Sequence, residues 1–159
     1  MDGDGTLTHD DNEKTELLNK FFTGVFTQED TSKIPKLDTI HTRTQLTHIE
    51  ITSEKVEKKL LKLKVTKSAG LDGFHPRILK ETASSICLPL STIYIKSMAE
   101  GEVPSTWKEG NITPIHKEGS KIAVTIYRPI SLTFVFGRLM ETLVRDQIVN
   151  HILENSLRT

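Results

Sequence analysis

The chain has 159 residues, of which 36% are hydrophobic and 26% are charged, and its formal net charge at pH 7 is zero. This length and balance are typical of a modest folded domain rather than of a disordered tail. The single cysteine excludes an internal disulfide framework, the histidines lack metal-ligand spacing, and no apolar run approaches the ~20 residues of a membrane span.

The first 51 residues predict an acidic lead-in with one helix. Residues 1–30 hold eight acidic and two basic side chains. Apolar side chains in residues 13–27, "EKTELLNKFFTGVFT", recur at helical spacing, which predicts an amphipathic helix. This period is lost over residues 28–51, where proline, threonine and charge favour a linker. We therefore place a domain boundary between residues 1–51 and residues 52–159.

A basic stretch opens the second part. Residues 52–80 hold eight cationic and three acidic side chains, which attracts polyanions but taken alone is more typical of a solvated helix face. Thr52 or Ser53 suits the N-cap of a helix. The loop "KSAGLDGFHP" stops this helix, and Pro76 suits the first turn of the next one.

A longer helix is predicted over residues 83–100. Pro89 would kink or split this helix, and Gly101 would end it. Trp107, in "PSTWK", is expected to be a core anchor. The expected apolar face of the helix carries four side chains: Ile86, Leu90, Ile93 and Met98.

A β-hairpin is predicted next, because the β-branched segments "NITPIHK" and "TIYRPISL" flank "EGSKIAV". Pro114 and Pro129 fall inside these segments and cannot donate to a ladder, so the strands should be edge strands or bulged. From Gly137 onward a helical period returns, with Glu141 and Arg145 as an i, i+4 pair. Its predicted apolar stripe is Met140, Leu143, Val144, Gln147, Ile148, His151 and Ile152.

The opening string "MDGDGTL" matches D-x-D-G-T-L, the nucleophile loop of the haloacid-dehalogenase phosphatases. That chemistry needs a nucleophile at the end of a buried strand, a later lysine and an acidic pair that holds magnesium. Only Met1 precedes Asp2, and no acidic pair follows a predicted strand downstream. A solvated acidic lead-in therefore describes this segment better, and the phosphatase stays a remote alternative.

Three motifs follow one another within residues 67–133: "KSAGLDGFHPRILKE", "GEVPSTWKEGNITPIHKEG" and "YRPISL". They resemble the reverse transcriptases of non-LTR retrotransposons (LINE, jockey-like). In that family the runs are K-x-x-G-x-D-G-[IF]-x-P-x-x-L-K, P-x-x-W-K-x-A-x-[IV]-x-P-I-x-K-x-G and N-Y-R-P-I-S-L. The segments "LLNKFFTGVFTQED" and "GRLMETLVRDQIVNHILENSL" are similar to further parts of the family, so the resemblance covers nearly the whole chain.

The resemblance implies an α+β, mostly helical fold, namely partial fingers of a right-hand polymerase (a β-hairpin plus helices) without the palm core. In related polymerases a lysine and an arginine on the two finger strands hold the triphosphate of the incoming nucleotide. The matching residues are Lys117 and Arg128. Two cations on facing strands can clamp a triphosphate, and the arginine fork binds phosphate oxygens in a bidentate way. The alternative is that both are surface charges on a hairpin.

The loop "GLDG" has two interpretations. In the structural one, which we favour, Gly70 and Gly73 bend the chain and Asp72 caps the helix that follows. In the functional one, the loop lies close to the template backbone. Lys67 and Arg77 would then contribute contacts to nucleic-acid phosphates.

The metal-binding half of the family's chemistry is not expected in this chain. The family holds two magnesium ions with palm carboxylates that lie C-terminal to the finger motifs. This chain stops at "LENSLRT", before the family's Q-x-G-F-R segment, and its Asp10–Asp11 pair lies in the polar lead-in. We therefore expect a truncated chain with no catalytic residue, no metal site and no cofactor of its own, which does not polymerise DNA alone.

The resemblance implies RNA template, DNA primer and deoxynucleotides as partners. It also implies a cytoplasmic or nuclear location, and the sequence gives no sign of a membrane partner. A different class of function stays open: a non-catalytic interaction module derived from such an element.

Overall fold

A computed structural model describes residues 7–27, 30, 32 and 44–155. The mixture of helices with a two-stranded sheet in these residues confirms the predicted α+β class. In chain order the elements are α1 (Asp11–Gly24), α2 (Ser53–Leu61), α3 (Pro76–Glu81), α4 (Ala83–Glu100), β1 (Gly110–His116), β2 (Tyr127–Thr133) and α5 (Val135–Glu154).

The chain divides into two compact units. The N-terminal unit contains the described residues of 1–38 together with 112–131, and the helical unit contains those of 39–111 and 132–159. The boundary predicted at residue 51 stays a prediction.

Helix α1 supplies the apolar surface of the N-terminal unit. Its N-cap is Asp10, whose carboxylate accepts a hydrogen bond from the backbone N–H of Glu13 at 2.9 Å. Phe22 is buried, whereas Phe26, just beyond the helix, is 78% exposed. The helix packs against a short 3₁₀ turn, Val124–Ile126, which leads into β2. The predicted amphipathic helix is thus confirmed, but it begins two residues before the predicted range of 13–27 and ends three residues before the end of that range.

Three predicted helix boundaries in the helical unit are also confirmed, whereas α2 ends at Leu61, six residues before the predicted stop at Lys67. The side chain of Thr52 accepts a hydrogen bond from the backbone N–H of Lys55 at 3.3 Å and so caps α2. Pro76 occupies the first turn of α3, where its missing N–H has no intrahelical partner to lose. Gly101 ends α4 in the left-handed region at φ 68°.

Helices α2, α4 and α5 enclose the core of the helical unit. Tyr94 is fully buried, and its hydroxyl donates to the carbonyl oxygen of Phe136 at 2.7 Å. Burial raises the pKa of this phenol. Trp107 meets the Tyr94 ring edge to face at a centroid distance of 5.7 Å, which confirms it as a core anchor. The buried core comprises Ile51, Val56, Leu60, Leu79, Ala83, Cys87, Leu90, Tyr94, Val135, Leu139, Met140 and Leu143.

Helix α4 matches its predicted range, but its predicted apolar face is partly wrong. Ile93 and Met98 are 44% and 40% exposed. Two serines are buried instead, because the core follows the line on which α2 packs rather than the most apolar line of α4. The predicted split at Pro89 is wrong, because α4 continues through this residue, which lies on its exposed side. The buried residues of the helix are Ala83, Cys87, Leu90, Ser91, Tyr94 and Ser97.

Helix α5 buries its N-terminal half only. Its buried residues are Val135, Leu139, Met140 and Leu143, whereas Ile148, in the predicted stripe, is 41% exposed. The predicted pair of Glu141 with Arg145 is wrong, because the Arg145 guanidinium binds the neighbouring Asp146 at 2.8 Å.

The described end of the predicted linker is attached to α5. The side-chain amide of Gln147 accepts a hydrogen bond from the backbone N–H of Glu50 at 2.8 Å and donates one to its carbonyl at 3.0 Å. Asn155 makes a similar contact with Thr44, whose backbone N–H lies 3.1 Å from the amide oxygen. Residues 44–50 therefore run along α5 before the chain enters α2.

Candidate functional site

The candidate site is the hairpin formed by β1 and β2. The two strands have equal length, and His116 stands opposite Tyr127, with ring centroids 5.5 Å apart. At the other end, Gly110 approaches the side chain of Thr133. The backbone N–H of Lys117 donates to the carbonyl of Ile126 at 3.0 Å, which extends the ladder by one pair. The predicted hairpin is therefore confirmed, and its register is fixed at both ends.

This register explains how two prolines fit into paired strands. Pro114 of β1 stands opposite Pro129 of β2, two positions along each strand from the pair of His116 with Tyr127. That position alternates with the hydrogen-bonded pair of Lys117 and Ile126, so the proline nitrogens face away from the partner strand. Because the sheet has two strands, both strands are edges, as the prolines predict.

The same register places Lys117 and Arg128 on one face of the hairpin. Lys117 is opposite Ile126, and Arg128 is opposite Ile115. Opposed residues share a face and side chains alternate along a strand, so the two cations are diagonal neighbours, typically about 7–8 Å apart. Both residues are exposed, and neither makes an ion pair with any carboxylate in the described part of the chain. We call this surface the cationic face.

The opposite face anchors the connecting loop. Its His116 and Tyr127 rings meet at 67°, and the Tyr127 hydroxyl donates to the carbonyl oxygen of Lys121 at 3.0 Å. His116 Nε2 is buried without a hydrogen-bond partner. This face therefore holds the loop in place, and the cationic face stays open to solvent.

Lys67 and Arg77, which the sequence predicts to contact nucleic-acid phosphates, lie in different surroundings. Lys67 lines a groove of about 290 Å³ in the helical unit, together with three further cations. Arg77 is exposed in the first turn of α3 and does not line this groove. We call this cavity the basic groove. Its four cationic lining residues are Lys62, Lys64, Lys67 and Arg138.

The backbone geometry of the loop "GLDG" explains why glycine occupies positions 70 and 73. A Cβ on Gly70 would lie 2.9 Å from the carbonyl oxygen of Thr133, so only glycine lets the loop approach the end of β2 so closely. Gly73 has φ 68°, in the left-handed region that favours glycine.

Asp72 does not have its predicted role. The expectation that it caps the next helix is wrong, because the N-cap of α3 is His75, whose Nδ1 accepts from the backbone N–H of Arg77 at 3.2 Å. The Asp72 carboxylate instead accepts from the backbone N–H of Val135, the first residue of α5, at 3.0 Å. A negative charge at a helix N-terminus is favourable, because the N-terminal end of the helix dipole is positive. Asp72 therefore ties this loop to α5.

One ion pair joins α2 to α5 beside these features. The Lys59 ammonium binds the carboxylate of Asp146, which also accepts from Arg145. These hydrogen bonds, that of Lys59 first, lower the pKa of Asp146. Lys59 is thereby neutralised, unlike the cations of the basic groove.

No cluster of three His, Cys, Asp or Glu side chains within the described ranges could hold a metal ion. No helix within those ranges has both the length and the apolar character needed to cross a bilayer. The phosphatase-like string lies mostly in residues 1–6, outside the described residues.

Sequence reasoning missed that Arg138 lines the same groove as Lys67. The two residues are far apart in the sequence and line one groove only because the start of α5 lies beside the loop that follows α2. The one available signal was the excess of positive charge over residues 52–80.

Comparison with known proteins gives two similar sequences. The chain is 30% identical over 100 residues, 62% of its length, to the RNA-directed DNA polymerase from the mobile element jockey of Drosophila melanogaster. It is 27% identical over 95 residues, 58% of its length, to a 115 kDa protein assigned to the type-1 retrotransposable element R1DM of the same fly. No protein-family model matches the chain.

The matches cover little of these relatives. The chain spans 11% of the first relative and 9% of the second. The similarity supports a reverse-transcriptase-like origin for this chain, as its ordered motifs predict.

Proposed function

We propose that this chain is a finger segment of a retrotransposon reverse transcriptase, whose hairpin binds the triphosphate of an incoming deoxynucleotide. The observation that carries the proposal is the cationic face, where Lys117 and Arg128 are exposed, lie on the same side of two paired strands and make no ion pair within the described part of the chain. The similarity to an RNA-directed DNA polymerase supports the choice of ligand.

The chemistry of the two side chains suits a triphosphate. The arginine fork binds two phosphate oxygens at once, whereas the lysine ammonium acts as a compact point charge. Their diagonal spacing lets the two cations contact neighbouring phosphates rather than the same oxygen. Ile115 and Ile126, which stand opposite them, bring no competing carboxylate.

In this proposal the chain contributes binding rather than bond formation. The polymerase reaction needs two magnesium ions held by carboxylates, and we place those ligands in another part of the polymerase. RNA template and DNA primer are the further partners. We assign backbone contacts to Lys67 and Arg77, both of which are exposed.

The test is binding of a deoxynucleoside triphosphate and of the matching monophosphate, measured by titration calorimetry with magnesium present. We expect the triphosphate to bind more tightly. Lys117→Ala with Arg128→Ala should weaken the triphosphate by at least about tenfold and the monophosphate much less, because each charged hydrogen bond contributes on the order of 1.5 kcal/mol.

A matched control removes two exposed cations elsewhere, by Lys108→Ala with Lys121→Ala. This control should bind the triphosphate like the wild type. Equal affinity of the wild type and the Lys117/Arg128 variant would overturn the proposal.

A second candidate is an interaction module without a nucleic-acid role. The observation that favours it is the apolar exposure of the hairpin, where Ile112, Ile115 and Ile130 are 53%, 48% and 45% exposed. Such side chains suit a protein partner better than a phosphate. If this candidate is right, the wild-type chain will bind nucleotides and nucleic acid no more tightly than the variant that lacks Lys117 and Arg128.

A further inference from the structure

The basic groove is a second cationic surface, which belongs to the helical unit. The C-terminal end of α2 and the loop after it form one wall, and the first turns of α5 form the other. Its floor is apolar, and Thr142 adds one hydroxyl. The uncharged residues that line it are Leu63, Pro76, Val135, Leu139 and Thr142.

The charge of the groove is not compensated. None of its lining residues is acidic, and none of its four cations makes an ion pair within the described part of the chain. Two earlier lysines of α2 behave differently, since Lys55 binds Glu50 and Lys59 binds Asp146. The carboxylate of Asp72 is tied to the N-terminus of α5 instead. Four like charges around one cavity repel each other unless an anion neutralises them.

The shape of the groove selects among anions. About 290 Å³ is the size of a site for one small molecule, which fits one or two nucleotides of a single strand but not a duplex. The apolar floor suits sugars and base faces, and the long cationic side chains can reach phosphates on either side. No aromatic side chain lines the groove, so it lacks the stacking platform that binds individual bases strongly.

We infer that the basic groove binds the sugar–phosphate backbone of a single nucleic-acid strand, without regard to its base sequence. This inference rests on the proposed function, in which the chain contacts nucleic acid. It adds to that function a specific surface for a nucleic-acid strand, in which Lys67 is one of four cationic residues.

The test uses the full chain and a short single-stranded oligonucleotide of mixed sequence, made once as RNA and once as DNA. Fluorescence anisotropy gives the affinity between about 50 mM and 200 mM salt. Four phosphate contacts predict a fall of about 50-fold over this range, since the slope for single strands is about −0.7 per contact. The groove variant carries Lys62→Gln, Lys64→Gln, Lys67→Gln and Arg138→Gln.

A control variant removes the same charge from exposed positions outside the groove. We expect the groove variant to bind weakly with a salt slope smaller by up to about 3, and the control to retain the wild-type slope. Equal losses on RNA and DNA support a phosphate site, and a loss on only one of them would overturn it. The control variant carries Lys58→Gln, Lys96→Gln, Lys108→Gln and Lys121→Gln.

Three further outcomes complete the test. An equal loss of oligonucleotide affinity in the groove variant and the control variant would show that only the net charge of the chain matters. This result would overturn the inference. Displacement of the oligonucleotide by polyglutamate at equal charge concentration would also overturn it, in favour of an acidic peptide. Thermal melting separates binding from folding: the groove variant should melt at or above the wild-type temperature, because repulsion is removed.

Failure of this inference can be distinguished from failure of the proposed function. If the groove variant keeps strand binding while the Lys117/Arg128 variant loses the triphosphate, the inference fails and the proposed function stands. If the groove variant loses the strand while the Lys117/Arg128 variant keeps the triphosphate, the hairpin assignment fails and the groove stands.

Discussion

The helical core and the hairpin are built on opposite principles. In the core, Val56, Leu60 and Tyr94 have no exposed surface. In the hairpin, no residue of β1 or β2 is fully buried, and several isoleucines face solvent. The core therefore supplies stability through packing, whereas the hairpin presents groups to the outside at little stabilising benefit. Stability and ligand binding should respond to different substitutions.

The largest expected effect lies in the core. Leu60→Ala should lower the free energy of unfolding by about 2–5 kcal/mol, because it removes buried apolar surface and leaves a cavity between α2 and α4. Urea denaturation followed by circular dichroism measures it.

The matched substitution in the hairpin is Ile115→Ala, at a residue 48% exposed. It should cost less than about 1 kcal/mol. A loss of unfolding free energy as large as that of Leu60→Ala would show that the hairpin is packed like a core. The contrast between the two regions would then be wrong.

An intermediate effect is expected where the loop "GLDG" meets β2. Gly70→Ala should destabilise the protein by about 1–3 kcal/mol, because the new Cβ would lie 2.9 Å from a backbone oxygen that cannot easily move. Thermal melting of the variant measures this.

Gly24→Ala is the control, since a Cβ there meets nothing within 4 Å and the residue ends α1. It should be neutral or stabilising by up to about 1 kcal/mol. If both alanines behaved alike, close backbone approach would not be the reason for Gly70.

The smallest effect concerns the ion pair between α2 and α5. Asp146→Asn should cost about 0.5–1 kcal/mol at neutral pH, because the pair is partly exposed. Pairing with Lys59 lowers the pKa of Asp146 from 3.8. This stabilisation is therefore present above about pH 4 and is lost as the pH falls through the lowered value.

Urea denaturation of both proteins from pH 7 down to pH 3 checks this sign. The difference in unfolding free energy should shrink towards acid pH. A difference that grows at low pH would contradict the assigned pairing. Asp11→Asn is a suitable comparison, since Asp11 also has a pKa lowered by a lysine, Lys14, but is fully exposed on α1.

The elements themselves were largely predictable from local signals. Thr52, Pro76 and Gly101 mark helix ends because each satisfies or avoids a backbone requirement within its own turn. The hairpin followed from β-branched segments and prolines that require edge strands. The position of Lys117 relative to Arg128 depends on the exact register, which the sequence alone does not specify.

The faces of the helices were harder to predict. Ile93 and Met98 are more hydrophobic than Ser91 and Ser97, yet only the serines are buried. Ser91 and Ser97 donate to backbone carbonyls nearby, so their hydroxyls are satisfied inside the unit. Which line of α4 faces inward is decided by the position of α2, and periodicity along one helix contains no such information.

By itself the sequence determined which segments form helices and strands and where several of them end, and it determined the ordered motifs that resemble a reverse transcriptase. These depend on contacts within a few residues or on residue order. Only the tertiary structure decided that Asp72 binds the start of α5 and that Lys67 and Arg138 line the same groove. Both depend on segments more than 60 residues apart, which come together only when α5 packs on the core.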